Sequence, residues 1–238
     1  VERGKVKLGI LKADDVRSEL VDEYGEYPDM FTRLLQAADP TLEISTYEVQ
    51  HGDYPDDIDE VDAYLITGSK ASVYDDVEWI HRLTAFVRRL DKAKKKLLGV
   101  CFGHQLVAHA LGGRTEKSVK GWGVGSDTVE FFDKSTGYAV DAERYNLWFS
   151  HQDQVMVPAT GAIVLGGTAF CPIAMCQLGR HILTFQGHPE FSPGFARGLL
   201  DLRQSIVGDD VYRRAISSLD LPTDRQQVAK WLVDFIYC

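Results

Sequence analysis

No apolar run in this chain of 238 residues approaches the roughly 18 to 20 needed to cross a bilayer, so no membrane segment is expected. Cysteine is scarce as well. Four of them, Cys101, Cys171, Cys176 and Cys238, are too few for a disulfide framework in a chain of this size, which points to a reducing, cytoplasmic setting. Cys171 and Cys176 bracket Pro-Ile-Ala-Met with no neighbouring His or Cys pair, a spacing that predicts no metal site. Basic charge is in deficit: 26 Lys and Arg stand against 35 Asp and Glu, giving a formal charge of −9. Nucleic acid, which is bound through clustered cations, is therefore not the expected partner. The clearest basic run, Arg88 to Lys96, ends a helical pattern, where positive charge complements the helix dipole. Low-complexity linkers and a leader-like apolar core near Val1 are also missing, so a single domain over residues 1–238 is expected. Phosphate loops are absent too. Gly121-Trp122-Gly123-Val124-Gly125 precedes a strand-like run instead of a helix, and no nucleotide cofactor is expected.

What the chain does contain is a strand that runs straight into a helix through a cysteine. Leu97-Leu98-Gly99-Val100 reads as a buried parallel strand, and Leu106, Val107, Ala110 and Leu111 repeat at helical spacing until Gly112-Gly113. Between them, Gly99-Val100-Cys101-Phe102-Gly103 has the form of a nucleophile elbow, with small residues where the backbone must turn sharply. Cys101 then stands at a helix N-terminus, where the dipole favours thiolate. The bland alternative is a packed core cysteine.

A cysteine nucleophile needs a base, and an imidazole base needs a group that fixes its orientation. His188-Pro189-Glu190 supplies both. Proline keeps His188 out of the helical region, so the extended segment can bring imidazole and carboxylate together.

Strands and helices alternate before residue 113: Val6 to Leu11, then a helix through Met30 to Ala38, a strand from Leu42 to Val49, and Ala63 to Ile66. The acidic stretch between Asp53 and Asp62 reads as a solvated loop. Asp75 with Glu78 predicts the N-cap of a helix through Leu90. After residue 113 the period shortens: residues 124–132, 146–149, 163–165 and 170–177 read as short strands, with a hairpin at Leu178-Gly179-Arg180. Ser192-Pro193 predicts a helix start whose apolar face is Phe195, Leu199, Leu202 and Ile206. Thr223 with Gln226 predicts a capping box for a last helix packed through Val228, Trp231 and Phe235.

Together, Gly99-Val100-Cys101-Phe102-Gly103-His104-Gln105 and His188-Pro189-Glu190 resemble the class I glutamine amidotransferases, most of all stand-alone domains similar to the glutaminase domain of GMP synthase. Thr67-Gly68-Ser69 and Ser150-His151-Gln152-Asp153 agree with two further family segments. The resemblance implies an α/β, flavodoxin-like doubly wound fold: a mostly parallel sheet, helices on both faces, and an additional short-stranded β region after residue 113. It implies Cys101 as nucleophile, His188 as base and Glu190 as its orienting carboxylate. Backbone N–H groups near Gly68 or Ser69 and at Phe102 would form the oxyanion hole, although the family commonly has glycine where Ser69 stands. Gln105, Ser150 and His151 would contact substrate; His151 is the only serious rival base and lacks the His-Pro-Glu context. His104 and His109 read as packing or local polar contacts.

The implied reaction is cleavage of the γ-amide of glutamine through a γ-glutamyl thioester, releasing ammonia for a possible separate synthetase subunit. The alternatives are a stand-alone hydrolase of γ-glutamyl peptides or conjugates and, less favoured, a non-catalytic binding or regulatory partner.

Overall fold

The computed structural model describes residues 4–133 and 142–238. Along the chain, β1 (Lys7–Lys12) is followed by α1 (Ser18–Tyr24), α2 (Tyr27–Ala38), β2 (Glu43–Glu48) and β3 (Ala63–Ile66). Next come α3 (Glu78–Lys92), β4 (Lys96–Val100) and α4 (Phe102–Ala110). Seven strands follow: β5 (Arg114–Lys117), β6 (Gly123–Phe131), β7 (Arg144–His151), β8 (Asp153–Val157), β9 (Ile163–Gly167), β10 (Met175–Leu178) and β11 (Ile182–Phe185). Four helices close the chain: α5 (Pro193–Leu202), α6 (Gln204–Val207), α7 (Asp209–Ser217) and α8 (Arg225–Tyr237).

Nine strands form one sheet in the order β2-β1-β3-β4-β11-β10-β9-β6-β7. The pairs from β2 to β11 are parallel and those from β11 to β7 antiparallel, so the sheet is mixed. Strand alternation assigns the two faces. Leu8, Ile10, Leu65, Leu98 and Val100 meet Phe31 and Leu35 of α2 and Trp231 and Phe235 of α8. Leu11, Tyr64, Ile66 and Leu97 meet Leu83 and Phe86 of α3 and Phe102 and Leu106 of α4. Both faces of β1, β3, β4 and β11 are covered, which is why those strands are nearly all apolar, whereas the edge strand β2 is polar and partly exposed. The doubly wound α/β expectation holds. Most of the short-stranded region after residue 113 continues the central sheet, however, and only β5 and β8 pair separately.

Several local expectations are corrected. Asp75 does not cap α3: its Oδ2 accepts from the Ser72 amide at 2.9 Å inside a preceding turn, and Val77 is the N-cap residue. The box at Thr223 and Gln226 does not form. Asp224 takes the N-cap position and turns its carboxylate to the Asn146 amide at 2.8 Å, tying α8 to β7. Ile206 leaves the α5 stripe because the helix ends at Leu202, and its side chain is exposed. Residues 170–174 are a loop instead of strand, since Thr168 and Cys171 close a turn that delivers the chain to β10. Ser192 caps α5 as expected, its Oγ accepting from the Phe195 amide. Among the described residues, no helix is long and apolar enough to cross a membrane.

Candidate active site

The β4–α4 turn is set by two glycines. A Cβ on Gly99 would lie 2.7 Å from the Gly103 carbonyl group, and a Cβ on Gly103 would lie 2.6 Å from the Ile66 carbonyl oxygen. Neither position can hold a larger residue without pushing α4 off the sheet. That close approach forces Cys101 to φ 52° and ψ −102°, a conformation costly for any residue with a Cβ. The strained residue is pinned by its own backbone, with its N–H donating to the Phe185 carbonyl at 2.8 Å and its carbonyl accepting from the Gln105 amide at 3.0 Å.

β11 lies beside β4, so the segment that follows β11 emerges next to the elbow. His188 Nδ1 and Glu190 Oε1 are 2.8 Å apart, and both side chains are buried. Since a carboxylate only accepts, Nδ1–H donates and Nε2 is turned away from Glu190. Phe191 stacks on the imidazole with centroids 4.0 Å apart and planes at 9°, while the His188 amide donates to the Trp148 carbonyl at 2.7 Å. Gly68 brings the pieces together: a Cβ there would stand 3.1 Å from His188 Cε1 and 3.7 Å from Cys101 Cβ. Burial by itself would lower the pKa of His188, but the Glu190 carboxylate and Cys101, both partners of the ring, raise it to about 10.

Cys101 opens into a cleft of about 330 Å³. Ser69, Gln105, Ser150 and His151 share its wall. Among the described residues, the backbone N–H groups of Gly68, Ser69 and Phe102 have no protein acceptor. Ser69 carries no positive φ, so the departure from glycine there costs no backbone strain. Gln105 is committed to protein partners: its amide nitrogen donates to the Asp153 carbonyl at 2.7 Å and to Gln186 Oε1 at 3.1 Å, holding the β7–β8 turn over α4. Ser150 Oγ accepts from Arg203 Nη1 at 2.7 Å. His151 Nδ1 donates to the Asp153 carbonyl at 2.9 Å, and burial lowers its pKa to about 4. With its pKa near 4, the His151 imidazole is neutral at pH 7, and its Nδ1 is held by the β7–β8 turn. His104, also lowered to about 4 by burial, bridges Thr184 Oγ1 and the Ile173 carbonyl, as a packing histidine would. Among the described residues, no group of three or more His, Cys, Asp or Glu is placed to hold a metal ion.

Other contributors carry no motif. Arg225, at the start of α8, donates to the carbonyls of Pro189 and Glu190, both at 3.1 Å, and clamps the His188 segment from behind. Lys70 Nζ and the Lys70 amide both donate to the buried Asp14 carboxylate, fixing the loop beside Gly68 to the segment that follows β1. Only an arginine near the last helical pattern could have hinted at the first of these, and nothing local hints at the second.

Residues 19–200 match the family model of the class I glutamine amidotransferases. A glutamine amidotransferase-like protein of Schizosaccharomyces pombe is 32% identical over 243 residues, covering 96% of this chain and 98% of its own. Gamma-glutamyl peptidase 2 of Arabidopsis thaliana is 29% identical over 210 residues, covering 85% and 84%. A glutamine amidotransferase crystal structure from Thermotoga maritima superposes with a TM-score of 0.76 at 14% identity, over 98% of this chain and 96% of the other. With motif, fold and full-length relatives in agreement, this chain belongs to the class I glutamine amidotransferase family.

Proposed function

We propose that the protein hydrolyses γ-glutamyl amides with Cys101 as nucleophile, His188 as proton carrier and Glu190 as the carboxylate that orients and charges the imidazole. The supporting observation is a strained Cys101 at the N-terminus of α4, beside a His188 already bonded to Glu190. The Cys101 sulfur attacks the γ-carbonyl, and the oxyanion is received by the unpaired N–H groups of Phe102 and of Gly68 or Ser69. His188 passes its proton to the departing amine as the C–N bond breaks, leaving a γ-glutamyl thioester. Water, deprotonated by His188, hydrolyses the thioester and restores the thiol. Gln105 acts by holding the β7–β8 turn over the substrate.

Two substrates fit this chemistry. Glutamine would release ammonia, which a separate synthetase subunit would consume; a γ-glutamyl peptide would release a shorter peptide. A cleft of about 330 Å³ is at the scale of a ligand larger than one amino acid, and a γ-glutamyl peptidase is among the relatives, so the peptide reading takes precedence. Four free thiols fit a reducing compartment. The test is steady-state hydrolysis of glutamine beside γ-glutamyl peptides. Wild-type turnover that vanishes in Cys101→Ala, with unchanged circular dichroism, supports the proposal; turnover that persists in that variant overturns it.

A further inference from the structure

The donors that would receive the oxyanion come from different elements: Phe102 opens α4, whereas Gly68 and Ser69 lie in the loop after β3. Their separation depends on what joins the loop to the helix, and Asp153, the first residue of β8, is bonded to both. Its carbonyl accepts from Gln105 Nε2 of α4 at 2.7 Å. Its carboxylate reaches the other element, Oδ2 accepting from Ser72 Oγ at 2.5 Å and Oδ1 from Tyr74 OH at 3.0 Å. Hydrogen bonds to an ionised acceptor are stronger than neutral ones. The loop itself has little slack. Ser69 Oγ accepts from the Ala71 amide at 3.1 Å, the Ser72 amide donates to Asp75 Oδ2 at 2.9 Å, and the Asp75 amide donates back to the Ser72 carbonyl at 3.0 Å. Val73 is buried in the apolar layer that contains Phe102. The amides of Lys70, Ala71 and Ser72 are therefore spent on side chains, and the segment is fastened twice, at Lys70 to Asp14 and at Ser72 and Tyr74 to Asp153.

We propose that Asp153, through the hydroxyls of Ser72 and Tyr74, is the positioning residue of the oxyanion hole: it holds the Gly68–Ser69 amides at a fixed separation from the Phe102 amide. The proposal rests on Cys101 being the nucleophile. A loop fastened only at Lys70 could turn about that point, and the second fastening removes the freedom. Ser72, Asp153, Ser69, Gln105 and Cys101 line one cleft, so the link runs beside the reacting atoms. The donors must be aimed before charge develops on the γ-carbonyl oxygen, and a loosened loop is therefore felt in the transition state more than in ground-state binding. The signature is a lower kcat with KM nearly unchanged, shared by glutamine and γ-glutamyl peptides because both form the same oxyanion.

The experiment measures kcat and KM for glutamine and γ-glutamyl-alanine in wild type, Ser72→Ala, Tyr74→Phe, Asp153→Asn and the double variant Ser72→Ala with Asp153→Asn. Ser72→Ala and Asp153→Asn are each expected to lower kcat about tenfold on both substrates with KM within about twofold, and Tyr74→Phe, at the exposed rim, about threefold. In the double variant kcat should lie within about twofold of Asp153→Asn alone, because both changes cut the same link. Effects that multiply in the double variant, or a raised KM with kcat unchanged, overturn the proposal, since Ser72 and Asp153 would then act separately or bind substrate themselves. Hydrogen–deuterium exchange reads the link without turnover: amides of residues 67–76 should exchange faster in Ser72→Ala and in Asp153→Asn than in wild type. Unchanged exchange rejects the link even where activity falls. Turnover that survives Cys101→Ala instead rejects the nucleophile, an outcome the exchange measurement does not depend on.

Discussion

Cys101 sits in a conformation that glycine tolerates and other residues resist, so its backbone strain is measurable apart from its chemistry. Cys101→Gly should be more stable than Cys101→Ala by about 1 kcal/mol, read as a higher denaturant midpoint, although both are expected to be inactive. Equal midpoints would remove strain from the account. Glu190 is paired with His188, and the pairing has an effect of definite sign. Because the pKa of His188 is raised to about 10, the ion pair's stabilisation is complete below the unfolded value near 6.5 and is lost as pH rises through 10. Wild-type stability should therefore decline between pH 6.5 and 10 more steeply than that of Glu190→Gln. The same variant should lose at least about 100-fold in kcat. Parallel stability curves for the two proteins would show that the pair is not ionised as described.

At the scale of elements, the close seat of α4 on β3 and β4 is what makes the elbow. Gly103→Ala places a methyl 2.6 Å from the Ile66 carbonyl and should cost about 1 to 3 kcal/mol while lifting Cys101 away from His188. A lower urea midpoint together with a reduced kcat is expected; a drop in neither would mean that the helix has room. Two buried histidines give the opposite pH dependence to His188. His104 joins α4 to β11 and the 170–174 loop, His151 secures the β7–β8 turn, and burial holds both near pKa 4. Unfolding lets each take up a proton below about pH 6.5, so stability falls as pH drops from 6.5 toward 4. The slope is at most about 1.4 kcal/mol per pH unit for each group. Chemical denaturation at pH 7, 6 and 5 checks this, and His104→Gln should remove about half of the slope.

For the whole molecule, β11, parallel to β4 on one side and antiparallel to β10 on the other, unites the parallel and antiparallel halves in one sheet, and α8 packs against α2 while clamping the His188 segment. A single cooperative unfolding transition is expected. Trp79 reports from the parallel half, and Trp148 and Trp231 report from the other side of the sheet. The fluorescence midpoint of Trp79→Phe should coincide with the circular dichroism midpoint of the same variant; separated midpoints would divide the chain into two units.

The sequence by itself determined the elements whose cause is local. Apolar runs gave the parallel strands, 3.6-residue spacing gave α2, α3 and α8, and the paired glycines around Cys101 gave the elbow, because sterics and periodicity act within a few residues. The contact between His188 and Glu190 was legible because proline fixes the geometry between them. The pairing of β6, β7, β9 and β10 with the parallel half was not legible, since strands of four to nine residues take their partners from long-range hydrogen bonding. Nor were the β5–β8 ribbon, the failure of Thr223 and Asp75 as caps, or the Arg225 clamp, each decided by which neighbour offered the better hydrogen bond. Only the tertiary structure turned Gln105 inward to the β7–β8 turn and left His151 Nε2 without a donor, because burial and partner supply are properties of the packed molecule and have no local signature.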